Sequence, residues 1–342
     1  MSKKWQFPSD WIKISTLDVH VAGEPLRIIT GGIPPLPGNT ILEKRRYAQK
    51  NLEDLRRALM WEPRGHADMY GCILTEPVST DGTLGVIFLH NEGYSTMCGH
   101  GVIGLTSAGL DTGLIDIPGN NPIVKIDTPA GRVTASAYRK NGRVKEVSFQ
   151  NVPSFVYAMD EKLNISELGD ISFDIAFGGA FYAFCSAEQL GLQLNPQHFS
   201  SLIKAGRSVK QAVNQNIDIK HPYEKDLSFL YGTIFVGPPE NKKNHSRNVC
   251  IFAEGELDRS PTGTGVSARA ALHHARRDIK LDEPFVVESI VGTSFTGRVV
   301  ESTSFGPYPA VIPEITGNAF IIGKHEFFID PKDPLKRGFF LR

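Results

Sequence analysis

Short runs rich in Val, Ile, Phe and Tyr, many alternating with polar residues, recur along the chain between Gly, Pro, Asn and Asp. That period and punctuation predict strands. The clearest lie at residues 12–21, 85–90, 123–127, 133–138, 144–149, 180–185, 230–236, 249–253, 285–288 and 319–324. Helical spacing is rarer. It predicts an amphipathic, charged helix at 41–59, another at 200–214, and an Ala-rich one at 266–277 with Arg in its last turn, where the helix dipole favours a cation. Residues 237–248 are polar and contain two prolines, which reads as a surface loop.

Over this pattern lies an internal repeat. Cys98-Gly99-His100-Gly101-Val102 returns as Thr262-Gly263-Thr264-Gly265-Val266, a shift of 164 residues (262 minus 98). Pro122-Ile123-Val124 followed by Gly131-Arg132-Val133 returns as Pro284-Phe285-Val286 followed by Gly297-Arg298-Val299, with shifts of 162 and 166. Two matches at nearly one shift, close to half the chain, imply two alike halves related by a pseudo-two-fold axis. The expected division is 1–155 and 156–324, with residues 325–342 packing back on the first half.

Composition narrows the function. The chain of 342 residues carries 37 Lys plus Arg and 37 Asp plus Glu, a formal net charge of zero. A nucleic-acid partner is not expected, because such binders carry a basic surplus. The cluster Lys44-Arg45-Arg46 is short and reads as solvated surface. No apolar run reaches the length of a membrane span, and the N-terminus lacks the apolar stretch of a signal peptide. Cys72, Cys98, Cys185 and Cys250 are scattered without a C-x-x-C pair, so a reducing, cytosolic location is the expectation and no zinc or disulfide framework is implied.

The duplicated glycine loops are the candidate chemistry. Each reads X-Gly-x-Gly and runs into a helix, whose first N–H groups and dipole favour an anion. Two such ends facing one another would hold a carboxylate. The string Gly99-His100-Gly101-Val102-Ile103-Gly104 also matches the dinucleotide fingerprint G-x-G-x-x-G. That site needs an apolar strand running directly into the first glycine. The residues before both loops, Gly93 to Cys98 and Leu257 to Thr262, are polar and turn-like, which argues against it.

Position X is Cys98 in one loop and Thr262 in the other. A thiol at a helix N-terminus is expected to have a lowered pKa and to serve as a base, whereas a threonine hydroxyl cannot form an anion without help. A proton removed on one side is then not easily returned on the other. His273-His274, late on a predicted helix, is explained by favourable dipole contact.

These motifs resemble the proline racemase family. Met97-Cys98-Gly99-His100-Gly101 is similar to its first catalytic motif, and Asp258-Arg259-Ser260-Pro261-Thr262-Gly263-Thr264-Gly265 to its second, where racemases and epimerases carry Cys in place of Thr262. The resemblance extends to residues 18–25, 62–71 and 313–319, and so over nearly the whole chain. It implies an α/β (α+β) fold of the diaminopimelate epimerase type, two halves each with a curved sheet or barrel around a central helix, and an active site in the cleft between them. It also implies no pyridoxal phosphate, no metal and a homodimer.

The Cys-plus-Thr pairing resembles the branch that dehydrates trans-3-hydroxy-L-proline. In that reading Cys98 and Thr262 are catalytic, and Gly99, His100, Asp258, Gly263 and Thr264 bind substrate. The glycine-loop N–H groups would hold the carboxylate, and His100 and Asp258 the ring amine. Thr262 would hydrogen-bond the leaving hydroxyl or shape the pocket. His20, Glu24, Arg64, His66 and Asp68 lie in matching motifs without an assigned role. Two alternatives stay open: a proline racemase or hydroxyproline epimerase using Thr262, and a non-catalytic imino-acid binding protein.

Overall fold

The computed structural model describes residues 6–341. Its first series of elements is β1 (Ile12–Val21), β2 (Glu24–Gly31), α1 (Ile41–Asn51), α2 (Glu53–Met60), β3 (Tyr70–Thr75), β4 (Leu84–His90), β5 (Gly93–Tyr94), α3 (Gly99–Thr112), β6 (Ile123–Thr128), β7 (Gly131–Lys140), β8 (Arg143–Gln150) and β9 (Ser154–Ile165). The second is β10 (Gly169–Phe177), β11 (Phe181–Ser186), α4 (Phe199–Asn216), β12 (Leu230–Gly237), β13 (Ser246–Phe252), β14 (Glu256–Leu257), α5 (Gly263–Arg276), β15 (Phe285–Glu288), β16 (Ser294–Phe305), β17 (Tyr308–Gly317) and β18 (Ala319–Ile329).

The two series share one topology. Antiparallel β1–β2 matches β10–β11, parallel β2–β3 matches β11–β12, and parallel β4–β6 matches β13–β15. The last strand of each series crosses to the other unit. β9 pairs with β10, closing an eight-stranded barrel through β11, β12, β13, β15, β16 and β17 back to β9. Reciprocally, β18 pairs with β1 along its length, from Ile329 opposite Ile12 to Ala319 opposite Val21. The return to the first unit therefore falls at Asn318, not near residue 325. β8 pairs with β17 where the two units join.

Each unit wraps one helix: α3 packs on β1, β2, β7, β8 and β18, and α5 on β9, β10, β11, β16 and β17. A helix fits inside a barrel only if its side chains are small. At Gly104 a Cβ would meet Leu26, Val19 and Val21 at 2.9 to 3.0 Å, and Gly101, Ser107, Ala108 and Gly109 continue the same choice. Val102, Ile103 and Leu105 are fully buried, each contributing about 1.5–3 kcal/mol of burial.

Several local expectations are corrected. The predicted helix 41–59 is two helices broken at Leu52, whose N–H closes α1 on the Ala48 carbonyl while its own carbonyl accepts from Arg56 to open α2. α5 begins at Gly263, three residues before the predicted start, since the glycine loop is itself the first turn. Ser246 already lies in β13, so the loop after β12 ends earlier than 248. Lys44 and Arg45 are buried, not solvated: the Lys44 ammonium donates to Thr75 Oγ1 and the Glu76 carbonyl, and Arg45 to the Tyr94 carbonyl. His273 is held neutral by burial and by Arg269, its pKa lowered to about 4, so it offers the helix dipole no cation. No helix among the described residues is long and apolar enough to cross a membrane.

Candidate active site

The N-termini of α3 and α5 meet head to head. A Cβ on Gly99 would lie 2.7 Å from Gly263 Cα, and one on Gly263 would lie 2.8 Å from Gly99 Cα. Only glycine permits that approach. The first N–H groups of both helices, those of Gly99, His100, Gly263 and Thr264, have no acceptor within their own helix and converge on one region. Two positive dipole ends there make a carboxylate cradle built from backbone alone.

Cys98 is the N-cap of α3 in ordinary extended conformation, φ −146°, and its Sγ accepts the Gly101 N–H at 3.1 Å. His100 Nδ1 lies 3.2 Å from the same sulfur. Thr262, the N-cap of α5, is different. Its φ is +67°, rare for a β-branched residue, and its side chain does not cap the helix. The hydroxyl instead donates to Asp258 Oδ2 at 2.7 Å, while Asp258 Oδ1 accepts the Ser260 N–H at 2.7 Å. The strained turn thus points Thr262 at a carboxylate.

All seven residues singled out from the sequence, Cys98, Gly99, His100, Asp258, Thr262, Gly263 and Thr264, line one small pocket. Its reactive side chains are well buried: Cys98 is 4% and Thr262 5% exposed. The rest of the wall is Met97, Phe252 and three tyrosines, Tyr70, Tyr182 and Tyr231. Tyr182 and Thr264 share a hydrogen bond of 2.7 Å, and the Tyr70 and Ser95 hydroxyls share another. Sequence reasoning did not single out these tyrosines. Tyr70 stood inside a quoted motif, but strand tyrosines usually serve a core, and nothing in spacing separates the two uses.

Electrostatics correct one expectation. Burial pushes the Cys98 thiol well above its ordinary pKa; the Gly101 N–H and the Tyr70 hydroxyl pull it down, and the Asp258 and Glu24 charges push it up. The helix end stabilises a thiolate, but desolvation wins. Burial also lowers His100, opposed by Asp258 and by a hydrogen bond to the Pro25 carbonyl, leaving a neutral imidazole beside the thiol. A cationic ligand at Asp258 would offset that carboxylate's charge, one of the influences that disfavour the thiolate. The site is therefore suited to a zwitterion, its carboxylate on the helix ends and its ammonium at Asp258.

The remaining motif residues lie outside this pocket. Glu24 is fully buried, and burial and the Asp258 charge push its carboxyl well above the usual range; it accepts the Arg259 N–H at 2.7 Å. Asp68 pairs with the Arg259 guanidinium at 2.7 Å. Both therefore brace the turn that carries Asp258. His20 stacks on Phe320. Arg64 contacts the C-terminal tail at Asp333 and Lys336, and His66 Nδ1 faces the Ala67 carbonyl. Among the described residues, no group of three or more His, Cys, Asp or Glu is placed to hold a metal ion.

Two alike units that present opposed helix N-termini, with a thiol at one, define an acid–base enzyme fold acting on a small carboxylate. The profile of the family described as proline racemase matches residues 16–340, and the chain belongs to that family. It is 53% identical over 332 residues to trans-3-hydroxy-L-proline dehydratase of Colwellia psychrerythraea, covering 97% of this chain and 94% of that one. It is 47% identical to the protein of the same name from Bacillus cereus, covering 96% and 98%. A crystal structure of a hydroxyproline epimerase from Agrobacterium vitis with bound trans-4-hydroxy-L-proline superposes with a TM-score of 0.91 at 33% identity, covering 96% of each chain.

Proposed function

We propose that this protein removes water from trans-3-hydroxy-L-proline, forming an enamine that tautomerises to Δ1-pyrroline-2-carboxylate. The carrying observation is the unequal pair across the pocket, one thiol against one hydroxyl that is tied to Asp258. The 53% and 47% identical relatives named for this dehydration agree with it.

In this reading the substrate carboxylate rests on the N–H groups of Gly99, His100, Gly263 and Thr264. The same groups stabilise charge as the α-proton leaves, the role of an oxyanion hole, so the reaction calls for no cofactor. The ring ammonium sits at Asp258 and His100. With that cation in place, Cys98 gives its proton to His100 and, as thiolate, takes the α-proton. The carbanion then expels the 3-hydroxyl faster than any group at Thr262 can reprotonate it. Incubation with trans-3-hydroxy-L-proline, followed by proton NMR, should yield Δ1-pyrroline-2-carboxylate. Folded protein that binds the compound and forms no product would refute the reading. It extends to a cytosolic homodimer, for which the exposed apolar run Phe320-Ile321-Ile322 on β18 offers a contact face. Sedimentation at a single chain's 37.6 kDa would refute the dimer.

A further inference from the structure

Dehydration needs a second proton transfer, to the departing hydroxide. In trans-3-hydroxy-L-proline the 3-hydroxyl and the carboxylate lie on opposite faces of the ring. At Cα the hydrogen and the carboxylate are also opposed. The α-hydrogen and the hydroxyl therefore share one face, and the base that takes the first stands on the side from which the second leaves. If Cys98 is that base, Thr262 faces the other side of the ring, so the acid has to be sought beside Cys98.

His100 is a poor candidate, because one ring N–H is engaged at the Pro25 carbonyl and the proton it takes from Cys98 is held against that sulfur, 3.2 Å from Nδ1. Tyr70 is better placed. It opens β3, is 3% exposed, lines the pocket with Cys98, and sets its ring against His100 with centroids 4.7 Å apart at 70°. Its hydroxyl is anchored by the fully buried Ser95 and also reaches the Cys98 sulfur. Burial raises its pKa well above the ordinary value, so it is a neutral phenol that keeps its proton to give.

Resting on the dehydratase reading, we infer that Tyr70 protonates the departing 3-hydroxyl, so that Cys98 and Tyr70 form a single proton circuit on one face of the substrate and the elimination is syn. The Cys98 thiolate takes the α-proton and becomes a thiol. The C3–O bond breaks as the Tyr70 proton moves to oxygen, releasing water and leaving the enamine. The thiol proton then passes to the Tyr70 phenolate, restoring both groups with no proton drawn from solvent. A phenol can protonate a departing hydroxide even with a raised pKa, because water is the weaker acid.

The test compares wild type and Tyr70→Phe in D2O by proton NMR, with trans-3-hydroxy-L-proline, its cis isomer and trans-3-chloro-L-proline. Chloride departs without a proton. For Tyr70→Phe, water loss should fall more than about 100-fold while exchange of the α-proton and loss of chloride stay within roughly 10-fold of wild type. Wild type should exchange the α-proton of the cis isomer but dehydrate it at least about 100-fold more slowly than the trans isomer. Unchanged water loss in Tyr70→Phe overturns the assignment. So does a parallel fall of all three rates, which would make Tyr70 only a support for Cys98. The same split in Tyr231→Phe, whose buried ring also lines the pocket, in place of Tyr70→Phe would move the role to Tyr231. Equal rates on both isomers overturn the single-face geometry. Wild type that exchanges the α-proton yet loses neither water nor chloride overturns the dehydratase reading together with this one.

Discussion

The two helix ends that meet at the pocket share a fold and 164 residues of offset (263 minus 99), yet only one is built like a normal helix start. At α3 an extended N-cap lets a side-chain atom accept an N–H of the first turn, and that atom is the Cys98 sulfur. At α5 the cap has positive φ, the first turn goes uncapped, and the side chain bonds a carboxylate. Thr262 is thus committed to holding Asp258, and in the proposed reaction Cys98 is left to move protons. In that reaction the duplication supplies symmetry for binding a carboxylate, and the difference at one position removes symmetry from the proton transfer.

Removing the competent side should have the largest effect. Cys98→Ser should lower turnover by about 10⁴-fold, as loss of a positioned base does, while ligand-induced thermal stabilisation persists; turnover within tenfold of wild type would end the assignment of the base. Next in size is Gly99→Ala. Its Cβ would lie 2.7 Å from Gly263 Cα, so the helix ends must separate, at a cost of about 1–3 kcal/mol in stability and a turnover loss that kinetic assay should put near 10²-fold. Thr262→Cys tests the other side, by replacing the hydroxyl with a group that can carry a proton. Chiral chromatography of recovered substrate should then reveal epimerisation absent from wild type, and its continued absence would count against the asymmetry.

The smallest effect concerns the whole molecule. Burial lowers the pKa of His100 and of His221, the latter to about 4, so these stay neutral when folded and take up protons when unfolded. Stability is lost as pH falls below about 6.5. Burial raises the thiols, Cys185 to about 12, and Cys72, Cys98 and Cys250 also rise. These are neutral when folded and lose protons when unfolded, so stability declines as pH rises past about 8.5. Melting temperature should peak between those limits, and a maximum outside them would contradict the assigned burial effects.

Much of this was legible in the sequence. Ten strands were anticipated near where they occur, because short apolar runs, several buried on both faces, are bounded by turn residues. The repeat located both helix starts, since glycine is the one residue that lets two helix ends touch. β2, β9, β10, β16 and β17 were less visible. β9 mixes Asp160, Glu161 and Lys162 into a run whose tip is solvated, and β17 carries prolines. The burial of Lys44 and Arg45 depends on acceptors at Thr75, Glu76 and Tyr94, far along the chain. The thiol pKa was misjudged for a related reason: the helix end is a local property, but desolvation comes from tyrosines on three separate strands.

In the proposed reaction one base and no opposing acid turn a racemase-like site toward elimination. This is tested by reacting trans-3-hydroxy-L-proline halfway in D2O and measuring both product and recovered substrate. Δ1-pyrroline-2-carboxylate as the product, with the remaining substrate wholly of the L configuration, is the expected result. Recovered substrate inverted at Cα, with little or no elimination, would contradict the account.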